Sequence, residues 1–327
     1  MQPTPTEDDV VEQPRPAPTT PWSSRRWLTS GVVLALLVAM VVYLSRTHEE
    51  LASVRRLSVQ VLAVTCLLQF VSQLFLNGSM LLPLKTKVSR LGFWELYLVR
   101  TGGFLVGSLM PVAGGLAVRL AYLRNRGLTY LDFTWATLLS NLLALAAAAV
   151  LAVVATGALW IKAGRPPAIV LGVSAGVLAM SLAALAIFEY LPRLTRLTRF
   201  QRWRWLSGMS SLRTSPSMAL RVFALCLMRH VLNFVTFGWL SQSLSGVSAD
   251  FLAGGLVYAL TSPIRMVNFT PGNLGITEWV VAVVGKMLAF DLAAGLIVAL
   301  AFRGVSFVGQ AVGAVFGSAW LAVRTKS

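Results

Sequence analysis

Charge is scarce in this chain. Of its 327 residues only 12% are Asp, Glu, Lys or Arg, about half the roughly 25% of an ordinary soluble domain. Histidine and cysteine are nearly missing, at two each. Cys66 and Cys226 lie inside apolar runs, where they read as small hydrophobes rather than as a disulfide framework. No His/Cys spacing suits a metal ion, so neither a metal nor any other cofactor is expected. There is no Walker A sequence and no HExxH, and no hydrophilic stretch approaches the size of a catalytic domain. An ATP-driven pump and a synthase with a soluble active site are both disfavoured.

What the chain does have is hydrophobic sequence, 56% of it, and it falls in runs. Trp27–Ser45, Leu57–Leu82, Leu131–Thr156, Ala168–Tyr190, Met218–Leu244 and Asp291–Ala322 are each close to or above the roughly 17–25 residues that cross a bilayer. The apolar residues are contiguous rather than alternating, which disfavours a β-barrel. A backbone facing lipid must satisfy its own hydrogen bonds, so the runs predict helices. The expected fold is all-α and polytopic, with about six spanning helices in one transmembrane domain over 25–327. Residues 1–24, rich in Pro, Thr and acids, predict a disordered cytoplasmic tail. Arg25 and Arg26 precede the first run as in a twin-arginine signal, but no small-residue cleavage site follows, so a retained helix is expected.

Two further hydrophobic stretches are interrupted, near 94–120 and 251–288. Each carries Pro and Gly at its middle: Pro111, Gly114 and Gly115 in the first, and Pro271, Gly272 and Gly275 in the second. Pro removes a helical hydrogen bond and Gly weakens a helix, so each stretch should break there. A break at membrane depth survives only where protein or a water-filled cavity shelters the backbone. The stretches therefore predict two re-entrant helical hairpins, whose tips should approach each other near the midplane.

The net charge of +16 would suggest nucleic acid in a soluble protein. Here it follows the positive-inside bias. With the tail cytoplasmic, Arg25, Arg26, Lys85, Lys87, Arg90, Arg119, Arg124, Arg126, Arg221, Arg324, Lys326 and the arginines of the basic interfacial loop 191–217 fall on or near the inside. Arg46, Arg55, Arg56, Lys162 and Arg165 fall outside. The expected location is the inner (cytoplasmic) membrane with both termini cytoplasmic. Three spans separate the hairpins, and an odd number makes them enter from opposite faces. Broken segments in corresponding places of inverted halves point to a transporter's binding site.

Charges inside the apolar stretches are costly, at least about 2.5–3.5 kcal/mol each near the bilayer centre. They are Arg100, Arg229, Arg265, Lys286 and Arg303, with Glu95 and Glu278. Glu278 lies in the first turn after the second break, where a carboxylate caps exposed amides; it could also pair with Arg303. Asn233 shares a face with Arg229, and Ser306 and Gln310 share one with Arg303. His230 reads as a packing residue or a proton relay. Arg119, Arg229, Arg265, Asn273, Glu278 and Arg303 form the candidate substrate site. Its cations surround two half-helix ends that also favour anions, so the natural guest is an anionic headgroup, a phospholipid or an isoprenoid phosphate.

Two stretches carry a family resemblance. Ser108–Leu139, SLMPVAGGLAVRLAYLRNRGLTYLDFTWATLL, and Ser262–Phe307, with its Pro-Gly-Asn-Leu-Gly-Ile-Thr-Glu sequence, resemble the lysylphosphatidylglycerol synthase transmembrane-region family, also called flippase-like. Pro111, Gly115 and Arg119 match the first motif. Pro271, Gly272, Leu274, Gly275, Glu278 and Arg303 match the second, with Asn273 in place of the usual Gly. Relatives commonly carry a glutamate where this chain reads Leu139-Ser140-Asn141, a departure that argues against a proton-coupled mechanism built there. The resemblance implies lipid translocation: bifunctional members move aminoacylated phosphatidylglycerol between leaflets, with a separate soluble domain that makes it.

The leading expectation is a lipid flippase or transporter, not an enzyme, with membrane lipids, and no nucleic acid, as partners. A homodimer or a partner lipid-modifying enzyme is also compatible. The competing readings are a membrane-embedded headgroup or glycosyl transferase and an accessory subunit of one. A transferase needs clustered surface carboxylates, whereas Glu95, Asp132, Asp250 and Asp291 are scattered.

Overall fold

A computed structural model of the protein describes residues 57–109, 114–163, 168–194, 215–245, 250–266 and 273–324, with a few helical residues between 38 and 45. Most of the expected first span, the tail 1–24, most of the basic loop 191–217 and the tip residues Pro111, Pro271 and Gly272 lie outside the described residues. All elements described are helices: α1 (Val59–Lys85), α2 (Phe93–Leu109), α3 (Gly114–Asn125), α4 (Tyr130–Ala163), α5 (Ala168–Leu194), α6 (Pro216–Ser245), α7 (Phe251–Met266), α8 (Ile276–Met287) and α9 (Leu292–Arg324).

Most helix starts are written in short polar residues. Ser58 accepts a hydrogen bond from the Val61 amide at 3.2 Å. Thr129 and Asp132 accept from each other's backbone at 3.2 Å, a reciprocal cap on α4. Ser215, Asp250 and Asp291 accept from Met218, Leu252 and Ala293 at 3.2, 2.9 and 3.2 Å. Each satisfies an amide that the helix itself leaves open.

Length then sorts the helices into two kinds. α1, α4, α5, α6 and α9 run 27, 34, 27, 30 and 33 residues, and all five are long and apolar enough to cross a membrane. The protein is a multi-pass membrane protein. By contrast α2, α3, α7 and α8 have 17, 12, 16 and 12 residues, or about 18–26 Å at about 1.5 Å per residue, short of a hydrocarbon core of about 30 Å. α2 packs on α3 and α7 on α8, so each expected hairpin is a helix, a break and a returning helix.

Ion pairs show where the hairpins open. At the start of α4, Lys87 lies 3.9 Å from Asp132, and beside it Arg126 pairs with Glu95, joining the end of α3 to the start of α2. At the far end of α4, Lys162 meets Asp250 at 2.6 Å, next to the start of α7. Asp132 and Lys162 are thirty residues apart, about 45 Å of helix. The two hairpins therefore open at opposite ends of the bundle.

α6 runs through the middle and touches α1, α4, α7 and α9. One apolar cluster surrounds the second hairpin, including Phe237, Leu256, Val281, Leu296 and Phe302. Another surrounds the first, including Leu84, Leu96, Leu123, Phe133 and Val222. Small residues allow close approach, as membrane helices require without a hydrophobic force between them. Ala147, Ala148, Ala149 and Ala152 of α4 are fully buried, and a Cβ on Gly254 of α7 would sit 2.6 Å from Ser241 Oγ of α6. Outward positions are apolar too: Val154, Ile161, Val315 and Phe316 are exposed, as a lipid-facing surface demands.

Candidate functional site

The interior is not uniformly apolar. Along α1, Thr65, Gln69, Ser72, Gln73 and Asn77 are all buried, at spacings of three and four that place them on one helical face. Gln69 Nε2 donates to Asn233 Oδ1 of α6 at 2.7 Å, and Ser72 Oγ donates to the same oxygen at 3.2 Å. Ser306 Oγ of α9 donates to Gln69 Oε1 at 3.1 Å. Gln73 Oε1 accepts from Arg100 Nη2 of α2 at 2.5 Å. This face of α1 ties the first hairpin, α6 and α9 into one polar layer.

The second hairpin is held by charge. Glu278, only 1% exposed, uses both carboxylate oxygens. Oε2 accepts from the Gly275 amide at 2.8 Å, capping α8, while Oε1 meets Arg303 Nη2 of α9 at 2.6 Å. Arg303 also donates to the Asn273 carbonyl at 3.3 Å, so capping and pairing, the two expectations for Glu278, both hold. Asn273 sits at φ 54° and Gly275 at φ 82°. Asn is among the few side chains that tolerate the left-handed region, which explains how it replaces Gly in this turn. Asn273 Nδ2 donates to the Ile264 carbonyl at 3.4 Å, closing the hairpin.

Arg265, in the last turn of α7, is caged by aromatic rings. Its guanidinium carbon lies 4.8, 5.1 and 6.0 Å from the ring centres of Phe302, Tyr258 and Phe237. Tyr258 shares a 3.0 Å hydrogen bond with His230 Nδ1. His230 is thus a bonded packing residue, and its Nε2 has no partner.

The first hairpin holds its cations more lightly. Arg119 Nε donates to the Gly115 carbonyl of its own helix at 3.2 Å. Gly103 lets α2 and α3 meet here: a Cβ would sit 2.7 Å from the Gly115 oxygen. Arg100, 7% exposed, has Gln73 and the Tyr97 ring, at 5.8 Å, as partners. The charge of Arg229 bears on Arg100 and on Arg265, and that of Arg119 on Arg100. Arg100 Nη1, Arg229 Nε and Arg265 Nε are buried without a hydrogen-bond partner.

The expected site residues Arg119, Arg229, Arg265, Asn273, Glu278 and Arg303 thus lie on α3, α6, α7, the second turn, α8 and α9. Arg100 joins them, along with Gln69, Gln73 and Tyr258, which carry no charge to flag them in the sequence; the periodic polar face of α1 was the available signal. Lys286 does not belong, because it is exposed in the last turn of α8. Glu95 is committed to Arg126 and Tyr122 and accepts from the Gly92 amide at 3.2 Å. Among the described residues no group of His, Cys, Asp and Glu could hold a metal ion.

Beside the polar layer lies a groove of about 410 Å³ between α2 and α9, lined by Thr101, Phe104, Phe307, Val308, Gln310, Ala311 and Ala314. The rings of Phe104 and Phe307 meet across it at a tilt, their centres 5.1 Å apart. A different pattern, Gly172-Val173-Ser174-Ala175-Gly176, has the spacing of a hydrolase nucleophile elbow. It lies within the long helix α5, and Ser174 is fully buried and bonded to Thr156 of α4 at 3.0 Å. Its role is helix packing.

The family model described as lysylphosphatidylglycerol synthase TM region matches residues 27–313. No curated protein and no solved structure matches the chain. The model covers most of the sequence, and the chain belongs to this family.

Proposed function

We propose that this member of the lysylphosphatidylglycerol synthase TM region family moves a lipid with an anionic headgroup between the leaflets of the cytoplasmic membrane, with both termini in the cytoplasm. One observation carries the reading. Arginines with a buried, unpartnered nitrogen, Arg100 on α2, Arg229 on α6 and Arg265 on α7, lie in a bundle whose two broken hairpins open at opposite ends. Buried charge without a partner is costly, and an anion that enters from either leaflet offsets that cost. Broken helices entering from opposite faces are an arrangement that alternating access uses in many transporters.

The acidic residues support a carrier rather than an enzyme. Glu95, Asp132 and Asp250 are each committed to an ion pair and a helix cap at the ends of the bundle. Glu278, inside, is held by Arg303. None is presented as a general base.

Purified protein in vesicles carrying a fluorescent phospholipid should accelerate exchange between leaflets over protein-free vesicles, and Arg229→Gln should remove most of the acceleration. A panel of anionic lipids, none of them moved, would end this reading. If deleting the protein from cells removes a lipid rather than misplacing it, the transferase reading replaces it.

A further inference from the structure

The balance of charge in the interior bears on which headgroup fits. Five guanidiniums, those of Arg100, Arg119, Arg229, Arg265 and Arg303, face the polar layer or the hairpin turns. The described residues place one carboxylate among them, Glu278, and its oxygens are taken by Arg303 and the Gly275 amide. Of the other four, Arg265 lies in the field of that same carboxylate, and Arg100, Arg119 and Arg229 have no anion among the described residues. The neutral partners of the four are the Gln73 side chain, the Gly115 carbonyl and aromatic rings. These acceptors are already taken by the arginines, and the like charges around them would repel an ammonium group.

Resting on the lipid-transport reading above, we infer that the headgroup carries at least two negative charges and no amine: a phosphate monoester or pyrophosphate on a lipid. An aminoacylated phosphatidylglycerol, the lipid that the family resemblance suggests, is the wrong guest. A lysyl ester brings two ammonium groups against one phosphodiester charge, a net charge of +1. A monoester or pyrophosphate presents several charged oxygens to Arg100, Arg229 and Arg265, whose free donors are buried and point to a ligand rather than to solvent. Guanidinium and phosphate match in geometry, with two parallel N–H donors to two oxygens.

The groove between α2 and α9 argues for a lipid over a free anion. It begins at Thr101, the neighbour of Arg100, and passes Phe307, one turn beyond Arg303. A headgroup on the arginines can lay an acyl or isoprenoid chain along Phe104, Phe307 and Ala311.

The test is thermal unfolding of the purified protein in detergent, titrated with short-chain phosphatidate, short-chain phosphatidylglycerol, its lysyl ester, and inorganic phosphate and pyrophosphate. Ligand that binds only the folded state raises the midpoint with concentration. Phosphatidate is expected to act at concentrations about tenfold below phosphatidylglycerol, a difference of about 1.4 kcal/mol. The lysyl ester should give no shift, and inorganic phosphate should act only far above the lipid. Arg100→Gln and Arg229→Gln should each move the phosphatidate curve about tenfold to higher concentration. Stabilisation by the lysyl ester equal to that by phosphatidate overturns the inference, and if that ester is also moved between leaflets the transport reading still stands. Inorganic pyrophosphate as effective as the lipid overturns the lipid assignment. Failure of every lipid in both the titration and the exchange assay removes the transport reading and this inference together.

Discussion

The two hairpins have the same plan and opposite electrostatics. In the second, the turn is locked: Glu278 caps α8 and pairs with Arg303, and Arg303 reaches back to the Asn273 carbonyl. In the first, Arg119 bonds only its own helix and Arg100 has a neutral glutamine. Its carboxylate, Glu95, sits at the open end with Arg126. A buried pair is rigid because removing either partner strands a charge. Cations with neutral partners can exchange them for an anion without breaking the fold. The turn of the second hairpin is therefore the anchor, and on the proposed transport reading the headgroup meets the cations left outside that lock, Arg100, Arg229 and Arg265.

That contrast is broken most severely at its anchor. Glu278→Ala leaves the half-buried Arg303 without its carboxylate and α8 without its cap, and should cost about 3 kcal/mol, read as a large fall in the unfolding midpoint in detergent. Arg119→Gln, at the matching place in the first hairpin, should change the midpoint little. Equal losses at the two sites would erase the distinction. Next comes packing: Gly103→Ala drives a methyl into the Gly115 carbonyl and should cost about 1–3 kcal/mol, visible in the same melt.

Arg229→Gln should leave the midpoint unchanged or raise it, because it relieves repulsion on Arg100 and Arg265, while leaflet exchange falls about tenfold or more. A destabilised variant with normal exchange would make Arg229 a packing residue. The smallest effect lies outside the membrane. The hydrogen bond from Lys162 holds the Asp250 carboxyl below its ordinary value. A folded value below the unfolded one adds stability at neutral pH that is lost as the pH falls through the lowered value. Both groups are partly exposed, so Lys162→Met should cost less than about 1 kcal/mol at neutral pH. The gap between variant and wild type in melting point should close in acid.

Much of this was legible in the sequence, for physical reasons. The spans announced themselves by length and apolar continuity, and α1, α4, α5, α6 and α9 lie within a few residues of the runs. Asn273 and Gly275 mark the second break because the backbone there takes positive φ. Glu278 and Arg303 stood out because charge is expensive in hydrocarbon. What the sequence hid was neutral or geometric. Gln69 and Gln73 look unremarkable singly, and only their face on α1 reveals them. The mutual influence of Arg229 with Arg100 and Arg265 depends on how the bundle packs. Lys286 misled because an apolar stretch does not show where its helix ends.

The central claim is that two hairpins enter from opposite faces toward one set of cations. Single cysteines at Asn125, the end of α3, and at Lys286, the end of α8, test it most directly. Both positions are exposed, and the background would carry Cys66→Ala and Cys226→Ala. A membrane-impermeant maleimide added to intact cells should label Lys286→Cys and leave Asn125→Cys untouched until the membrane is opened. Labelling of both positions from the same side would contradict the account.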